Sequence, residues 1–372
     1  MTQAKTPTAG LLLALASAAA FAQAPAGGGA PPASSVTVYG VMDAGLYARQ
    51  LSGQTRVKAV DSGIMETSFL GLRGSEDLGD GLRANFDISS FLRLDSGEPT
   101  RGIPGESFWS RGAWVGMAGG FGSVRLGRIA TMNFINTIRF NAFGPSSVVS
   151  PSFLHTYVGS AAQPMTTGSG VTDSAWNNAL AYTSPVFGGA TIALQAAPSE
   201  GGIAGRRVGA SVSWGGQPFA VMLSMDRTSR AALTFPLAIP TLPGAVPPFT
   251  ASDFKTVQLG TSYDFGVVKL FGQFGRTEIT GTRPGPPGEK TIDLKTVQLG
   301  LSAPIGAGNV LLSAANTAKE QTLVADQKRT TVSLGYDHNL SKRTDLYAVV
   351  MTDKVSTLER GTGFALGARH RF

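Results

Sequence analysis

The sequence predicts an all-β fold, a 16-stranded antiparallel transmembrane β-barrel, on three observations. From Ser35 onward apolar residues recur mainly at every second position, the period of a strand with one apolar face. Sixteen segments carry this pattern, an even count, and each is long enough for a tilted crossing of the hydrocarbon layer, which takes roughly 9 to 11 residues. Short turn signals close one end of the strand pairs, whereas longer polar or Pro/Gly-rich connections close the other.

Composition removes several alternatives. The 372 residues include 48 Gly, 21 Pro and no Cys, and 15% are charged. That charged share lies well below the roughly 25% usual for soluble domains, and Gly is nearly double its ordinary ~7%. Without cysteine there is no disulfide framework, no thiolate metal site and no thiol catalysis. Three histidines make a His-ligated metal centre a poor expectation, and no cofactor is implied. The longest apolar run, Ala9 to Ala22, is too short for a membrane-spanning helix.

That run is the apolar part of an export signal. Lys5 precedes Leu11, Leu12, Leu13, Ala14 and Leu15, and the small residues that follow end in Ala20-Phe21-Ala22, an A-x-A cleavage pattern. Cleavage after Ala22 assigns residues 1–22 to the signal; a cut after Ala24 would place Pro25 just past the scissile bond. Losing Lys5 lowers the formal net charge of +7 by one, so the chain stays mildly basic. Residues 23–34, rich in Pro, Ala and Gly, read as a flexible leader, and residues 35–372 as one barrel domain.

The first strand, 35–49, sets Val36, Val38, Met42, Ala44 and Leu46 against Thr37, Tyr39, Asp43, Tyr47 and Arg49. The remaining strands are expected at 63–74, 81–94, 107–118, 122–129, 173–184, 189–198, 204–215, 218–230, 251–265, 266–280, 291–303, 309–319, 328–338, 343–354 and 363–372. Turns such as Gly79-Asp80-Gly81, Gly119-Gly120-Phe121-Gly122 and Asp264-Phe265-Gly266 separate every second pair. Lys255 to Gly260 recurs identically as Lys295 to Gly300, with Val and Leu expected outward and Thr and Gln inward. Tyr263, Phe265, Tyr336, Tyr347 and Phe364 suit either the aromatic girdles of a membrane barrel or ordinary strand packing.

A sixteen-stranded barrel is too wide for side chains to fill, so its inner face is wet and polar and its apolar face meets lipid. Closure leaves no unpaired strand edge in the hydrocarbon. By alternation Tyr39, Asp43, Arg49, Arg73, Arg83, Asn85, Asp87 and Arg93 point into the lumen.

Five motifs resemble the Gram-negative outer-membrane general porins in their betaproteobacterial form, over essentially the whole mature chain. They are Ser35-Val36-Thr37-Val38-Tyr39-Gly40-Val41-Met42-Asp43-Ala44-Gly45, Gly71-Leu72-Arg73-Gly74-Ser75-Glu76-Asp77-Leu78-Gly79, Phe121-Gly122-Ser123-Val124-Arg125-Leu126-Gly127-Arg128, Tyr182-Thr183-Ser184-Pro185-Val186-Phe187-Gly188-Gly189 and Gly367-Ala368-Arg369-His370-Arg371-Phe372. The resemblance implies a homotrimer of water-filled channels in the outer membrane, through which ions and small hydrophilic solutes diffuse. Each channel is narrowed by a third extracellular loop folded inward, here about 129–172. Outer-membrane lipid, lipopolysaccharide and the barrel-assembly machinery are the implied partners, and Phe372 matches the terminal aromatic assembly signal. The family opposes wall arginines to loop carboxylates, and Arg128 matches one of those arginines.

Two departures thin the ladder: Phe69 and Ala175 stand where relatives commonly carry Arg. The expected loop holds Arg139 and His155, yet no Asp or Glu occurs from Ser107 to Thr172. Phe134, Phe140, Phe143, Phe153 and Tyr157 suggest either an apolar constriction or packing on the wall. The pore-lining set is therefore expected to be Arg128, Arg73, Arg83, Arg139, Tyr39, Asp43 and Asp87, with weak anion preference. An enzyme would need a Ser/His or Asp/His constellation at the outer rim, and no G-x-S-x-G occurs. An adhesin or soluble β-protein would need apolar residues at the strand positions that here carry Arg, Asp, Asn and Gln. Nucleic-acid binding is not indicated, since the positive charge is spread without a basic run.

Overall fold

The computed structural model describes residues 34–101, 106–158, 174–199, 205–235, 249–282, 287–322 and 324–372. The expected signal 1–22 and all of the leader except Ser34 lie outside the described residues, as does the last part of the expected loop, from residue 159. Seventeen strand segments follow in order: β1 (Ser35–Arg49), β2 (Val57–Ser62), β3 (Phe69–Gly79), β4 (Leu82–Phe91), β5 (Gly112–Gly119), β6 (Gly122–Ala130), β7 (Ala175–Thr183), β8 (Ala190–Ala197), β9 (Arg206–Gly215), β10 (Phe219–Phe235), β11 (Phe249–Asp264), β12 (Lys269–Thr282), β13 (Lys290–Ile305), β14 (Gly308–Gln321), β15 (Val324–Asn339), β16 (Thr344–Val355) and β17 (Gly361–Arg371). Among the described residues, two helices, α1 (Met132–Arg139) and α2 (Pro151–Thr156), lie between β6 and β7.

All pairings are antiparallel, and β17 pairs with β1 to close the sheet. The second half of β1 pairs with β2 and the first half with β3. Those two segments are thus one strand interrupted at 63–68, and the barrel has sixteen. This corrects the expected strand 63–74: its first residues leave the sheet. Gly63 takes φ +75°, open to glycine at little cost, and turns the chain inward. The fully buried Asp43 carboxylate then accepts the backbone N–H groups of Ile64 (3.0 Å), Met65 (3.1 Å) and Glu66 (2.9 Å).

Alternation sorts the two faces along each strand. Val36, Val38 and Leu46 on β1, Val115 on β5, Leu126 on β6, Leu223 on β10 and Leu299 on β13 are exposed on the outside. The repeated hexapeptide behaves as its pattern predicts, with Thr256, Gln258 and Gln298 buried inward and Leu259 and Leu299 exposed outward. Tyr263, Phe265 and Phe364 lie on the exposed outer surface. Tyr347 differs: it is buried on the inner face and donates its hydroxyl to Asp43 at 2.6 Å.

The inner face of β15 to β17 and β1 carries matched charges. Arg369 meets Asp337 at 2.8 Å, Asp345 at 3.1 Å and Glu66 at 3.5 Å, and Arg329 meets Asp353 at 2.9 Å with both side chains buried. Buried ions remain charged only when so matched.

The described part of the connection between β6 and β7, residues 131–158, runs inside the barrel. Thr131 caps α1 by accepting from Phe134 N–H, and the helix sets Met132, Asn133, Asn136 and Thr137 against β10 and β11. Gly260 on β11 provides the seat: a Cβ there would collide with Asn136 Oδ1 and the Phe140 ring. A Gly260→Val channel is therefore expected to lose about 1 to 3 kcal/mol of stability through overpacking. Thermal unfolding in detergent should show the lower midpoint, and the variant's open current should be noisier as α1 lifts from the wall.

Candidate functional site

The described part of the long loop, residues 131–158, is fastened to the inner wall at three places. On β10 and β11, Asn136 Nδ2 donates to Met222 O (3.0 Å) and Gln258 O (3.2 Å), Asn133 N–H donates to Asp226 (3.0 Å), and Gln273 of β12 donates to Thr137 O (2.9 Å). Beside the break after β2, Ser146 Oγ donates to Ile64 O (2.6 Å) and Arg49 donates to Val148 O (3.1 Å). On β15, Ser333 Oγ donates to Val149 O (2.7 Å) and Arg329 donates to Leu154 O (3.3 Å). Phe140 and Phe143 are buried in these contacts; Phe134 and Phe153 are half-buried and pack edge-on with centroids 6.0 Å apart. Packing on the wall therefore holds for Phe140, against Ala220 and Met222, and for Phe143, in a cluster with Leu311 and Val349.

His155 completes the third fastening. Its Nδ1 lies 2.8 Å from Thr317 Oγ1 and its Nε2 2.8 Å from Thr331 Oγ1. Thr331 donates onward to Asp353 at 2.5 Å, so it accepts from an Nε2–H, and Nδ1 accepts from Thr317. Burial above all, and then the Arg329 cation, holds the His155 pKa well below its usual value, while Asp353 opposes this.

The wall away from these fastenings, β3 to β6, carries arginines without carboxylate partners. Tyr39 of β1 points inward and donates to Asp87, which is buried beneath it and also accepts from Ser89 Oγ at 3.2 Å. Arg73 lies over the Tyr39 ring at 4.8 Å, Arg111 over Phe69 at 3.6 Å and Arg125 over Trp114 at 5.4 Å. Arg139, in the last turn of α1, lies over Phe140 at 5.3 Å. Arg83 faces inward nearer the short-turn end, paired in register with Asp77 and Ala118. Among the described residues, none of Arg73, Arg83, Arg111, Arg125 and Arg139 has a carboxylate oxygen within the 4.0 Å of an ion pair.

Several expected pore residues take other positions. Asp43 faces inward but is fully buried, because its carboxylate brackets the break at 63–68. Asp87 is buried under Tyr39. Arg128 pairs in register with Ala113, on the face that carries Val115 and Leu126. Its guanidinium donates to Ser110 O (2.5 Å), Ala175 O (3.2 Å) and Asn177 Oδ1 (2.7 Å), so it ties the root of the loop together. Arg111 and Arg125 were not singled out from sequence. Arg125 is legible there, lying between outward Val124 and Leu126. Arg111 is not, since a bend just before β5 turns it inward against the strand's parity. Its guanidinium stands over Phe69, one of the two departures from the arginine ladder, and restores a cation there. At the other departure, Trp176 fills the inner face with Ile129, Ala179, Ala181 and Ala197.

A family model described as Gram-negative porin matches residues 9–358. Outer membrane porin protein 32 of Delftia acidovorans is 31% identical, the alignment covering 95% of this chain and 98% of that protein. An outer membrane porin protein of Bordetella pertussis is 27% identical over 97% of this chain and 99% of its own length. Among solved structures, an anion-selective porin from Comamonas acidovorans is similar at a TM-score of 0.72 and 28% identity, covering 91% of this chain and all of that one.

The state of His155 gives a pH dependence with a definite sign. An exposed histidine titrates near 6.5, and the docked one lower. The undocked loop therefore binds protons more readily, and docking weakens as pH falls through about 6.5 toward the depressed value. Single-channel records should show more closures at pH 5.5 than at pH 7.5, and His155→Gln, neutral throughout, should remove that difference.

Proposed function

The chain belongs to the Gram-negative porin family, and from that premise we propose that its unpaired wall arginines set a weak preference for anions. It is an outer-membrane porin, a passive channel for ions and small hydrophilic solutes, and no enzyme. The observation that carries the proposed selectivity is the set of Arg73, Arg83, Arg111 and Arg125 on the wall, with Arg139 on a loop segment that has not a single acid. Fixed charge beside a low-dielectric wall focuses potential and raises the local concentration of the opposite ion. Tyr39 orients Arg73, whereas Asp43, Asp87 and Arg128 hold the frame. The described relative at 28% identity, named as anion-selective, supports the same sign.

The proposed assembly is a homotrimer whose contacts include the sector around β1. The outward positions of β17, β1, β4 and β5 carry no Asp, Glu, Lys or Arg. The outer face of β10 to β14 instead carries Arg227–Asp253 (3.0 Å), Arg276–Asp293 (2.6 Å) and Lys295–Glu320 (3.0 Å), a ladder suited to lipopolysaccharide head groups. Phe372, whose backbone pairs with Gly40 at the closing seam, is proposed as the signal read by the assembly machinery. Native mass spectrometry should find three chains per particle, and removing Phe372 should lower the amount reaching the outer membrane.

In a tenfold potassium chloride gradient across a planar bilayer, the reversal potential should have the sign of chloride-dominated current. Replacing Arg111 and Arg125 together by Gln should move the chloride-to-potassium permeability ratio toward one. A cation-dominated potential in the unaltered channel would contradict the reading.

A further inference from the structure

Arginines inside the barrel are held by two kinds of partner. Arg329 and Arg369 are clamped by carboxylates. Arg73, Arg111, Arg125 and Arg139 are instead each seated on an aromatic ring, with the guanidinium carbon 3.6 to 5.4 Å from the ring centroid. The two ways of holding a guanidinium leave different parts of it available. A carboxylate clamp occupies the N–H edge, whereas an aromatic seat covers one flat face and leaves N–H donors in the plane. Those donors match the two oxygens of a carboxylate.

The loop supplies the second half of the match. In α1 the residues buried against β10 and β11 are Met132, Asn133, Asn136 and Thr137. At about 100° per residue, Phe134 lies on the opposite side of the helix, away from that wall. It stays half-buried, edge-on to Phe153 and to Tyr157 at 5.6 Å, so part of an aromatic surface remains uncovered on the loop. A hydrated inorganic anion uses only the charge of such a lining. A planar aromatic acid uses the charge, the in-plane donors and the ring surfaces together.

We propose that the constriction is a weak binding site for aromatic monocarboxylates, which it holds in transit more strongly than saturated acids of the same charge and similar size. The proposal rests on the anion-preferring reading above and adds a substrate class to it. Its chemistry is reversible binding, with no bond made or broken.

The test uses the whole purified channel in a planar bilayer with chloride carrying the current. Potassium benzoate and potassium cyclohexanecarboxylate are added separately, and the concentration of each that halves the conductance is measured. Benzoate should act at a concentration about threefold lower, the scale of a partly exposed cation–π or ring contact. Arg111→Lys, which removes the planar fork, and Phe134→Leu, which removes the loop ring, should each bring the two half-blocking concentrations closer together. Equal block by the two acids in the unaltered channel, with a chloride-dominated reversal potential, would overturn the aromatic site and leave the anion reading standing. A benzoate advantage undiminished in both variants would also overturn it, by placing the discrimination elsewhere. A potassium-dominated reversal potential would instead overturn the anion reading on which the site depends.

Discussion

A polypeptide folded through the middle of a barrel must satisfy its own buried polar groups, and the rest of the lumen follows from how this chain does so. An unpaired buried donor or acceptor costs about 1 to 3 kcal/mol, so a loop without partners would not stay on the wall. Here the bonds come largely from neutral groups. Asn136, Gln273, Ser146 and Ser333 reach backbone carbonyls across the gap, and His155 bridges two threonines. Where charge is used, it is wall charge: Asp226 accepts from the start of α1, and Arg49 and Arg329 donate to loop carbonyls. The described loop segment contributes no carboxylate of its own.

That economy of acids segregates the charges. Carboxylates on β15 and β16 and at the break after β2 are matched by Arg329 of β15 and by Arg369 and Arg371 of β17. In the sector from β3 to β6, Arg73, Arg111 and Arg125 stand on aromatic rings, Asp87 is buried beneath Tyr39, and the described loop segment adds no acid. In the proposed reading, selectivity comes from what the loop between β6 and β7 lacks as much as from what the wall carries.

Most of the barrel was legible in the sequence because lipid and water impose a strict two-residue period on every strand. The first strand was read to its ends, and closure followed from the even count. The reading lost ground wherever the backbone departs from that period. Gly63 and the buried Asp43 turn 63–68 out of the sheet, so a residue expected on the pore wall holds a break together. The bend at Arg111 reverses parity, and only the folded chain reveals that it stands over Phe69. In Leu126-Gly127-Arg128 the family motif drew attention to Arg128, while Arg125, three residues earlier between Val124 and Leu126, was passed over; it is Arg125 that stands over the inward Trp114.

The contrast between those two arginines offers the most direct test, because the chain has no cysteine and a single introduced thiol reports on one position. Arg125→Cys and Arg128→Cys channels would be opened in a potassium chloride gradient and treated with a negatively charged methanethiosulfonate from the aqueous side. Modification at position 125 should lower the chloride-to-potassium permeability ratio, while at position 128 the ratio should be unmoved. A ratio that responds at 128 and ignores 125 would contradict it, and would return the constriction to the root of the loop.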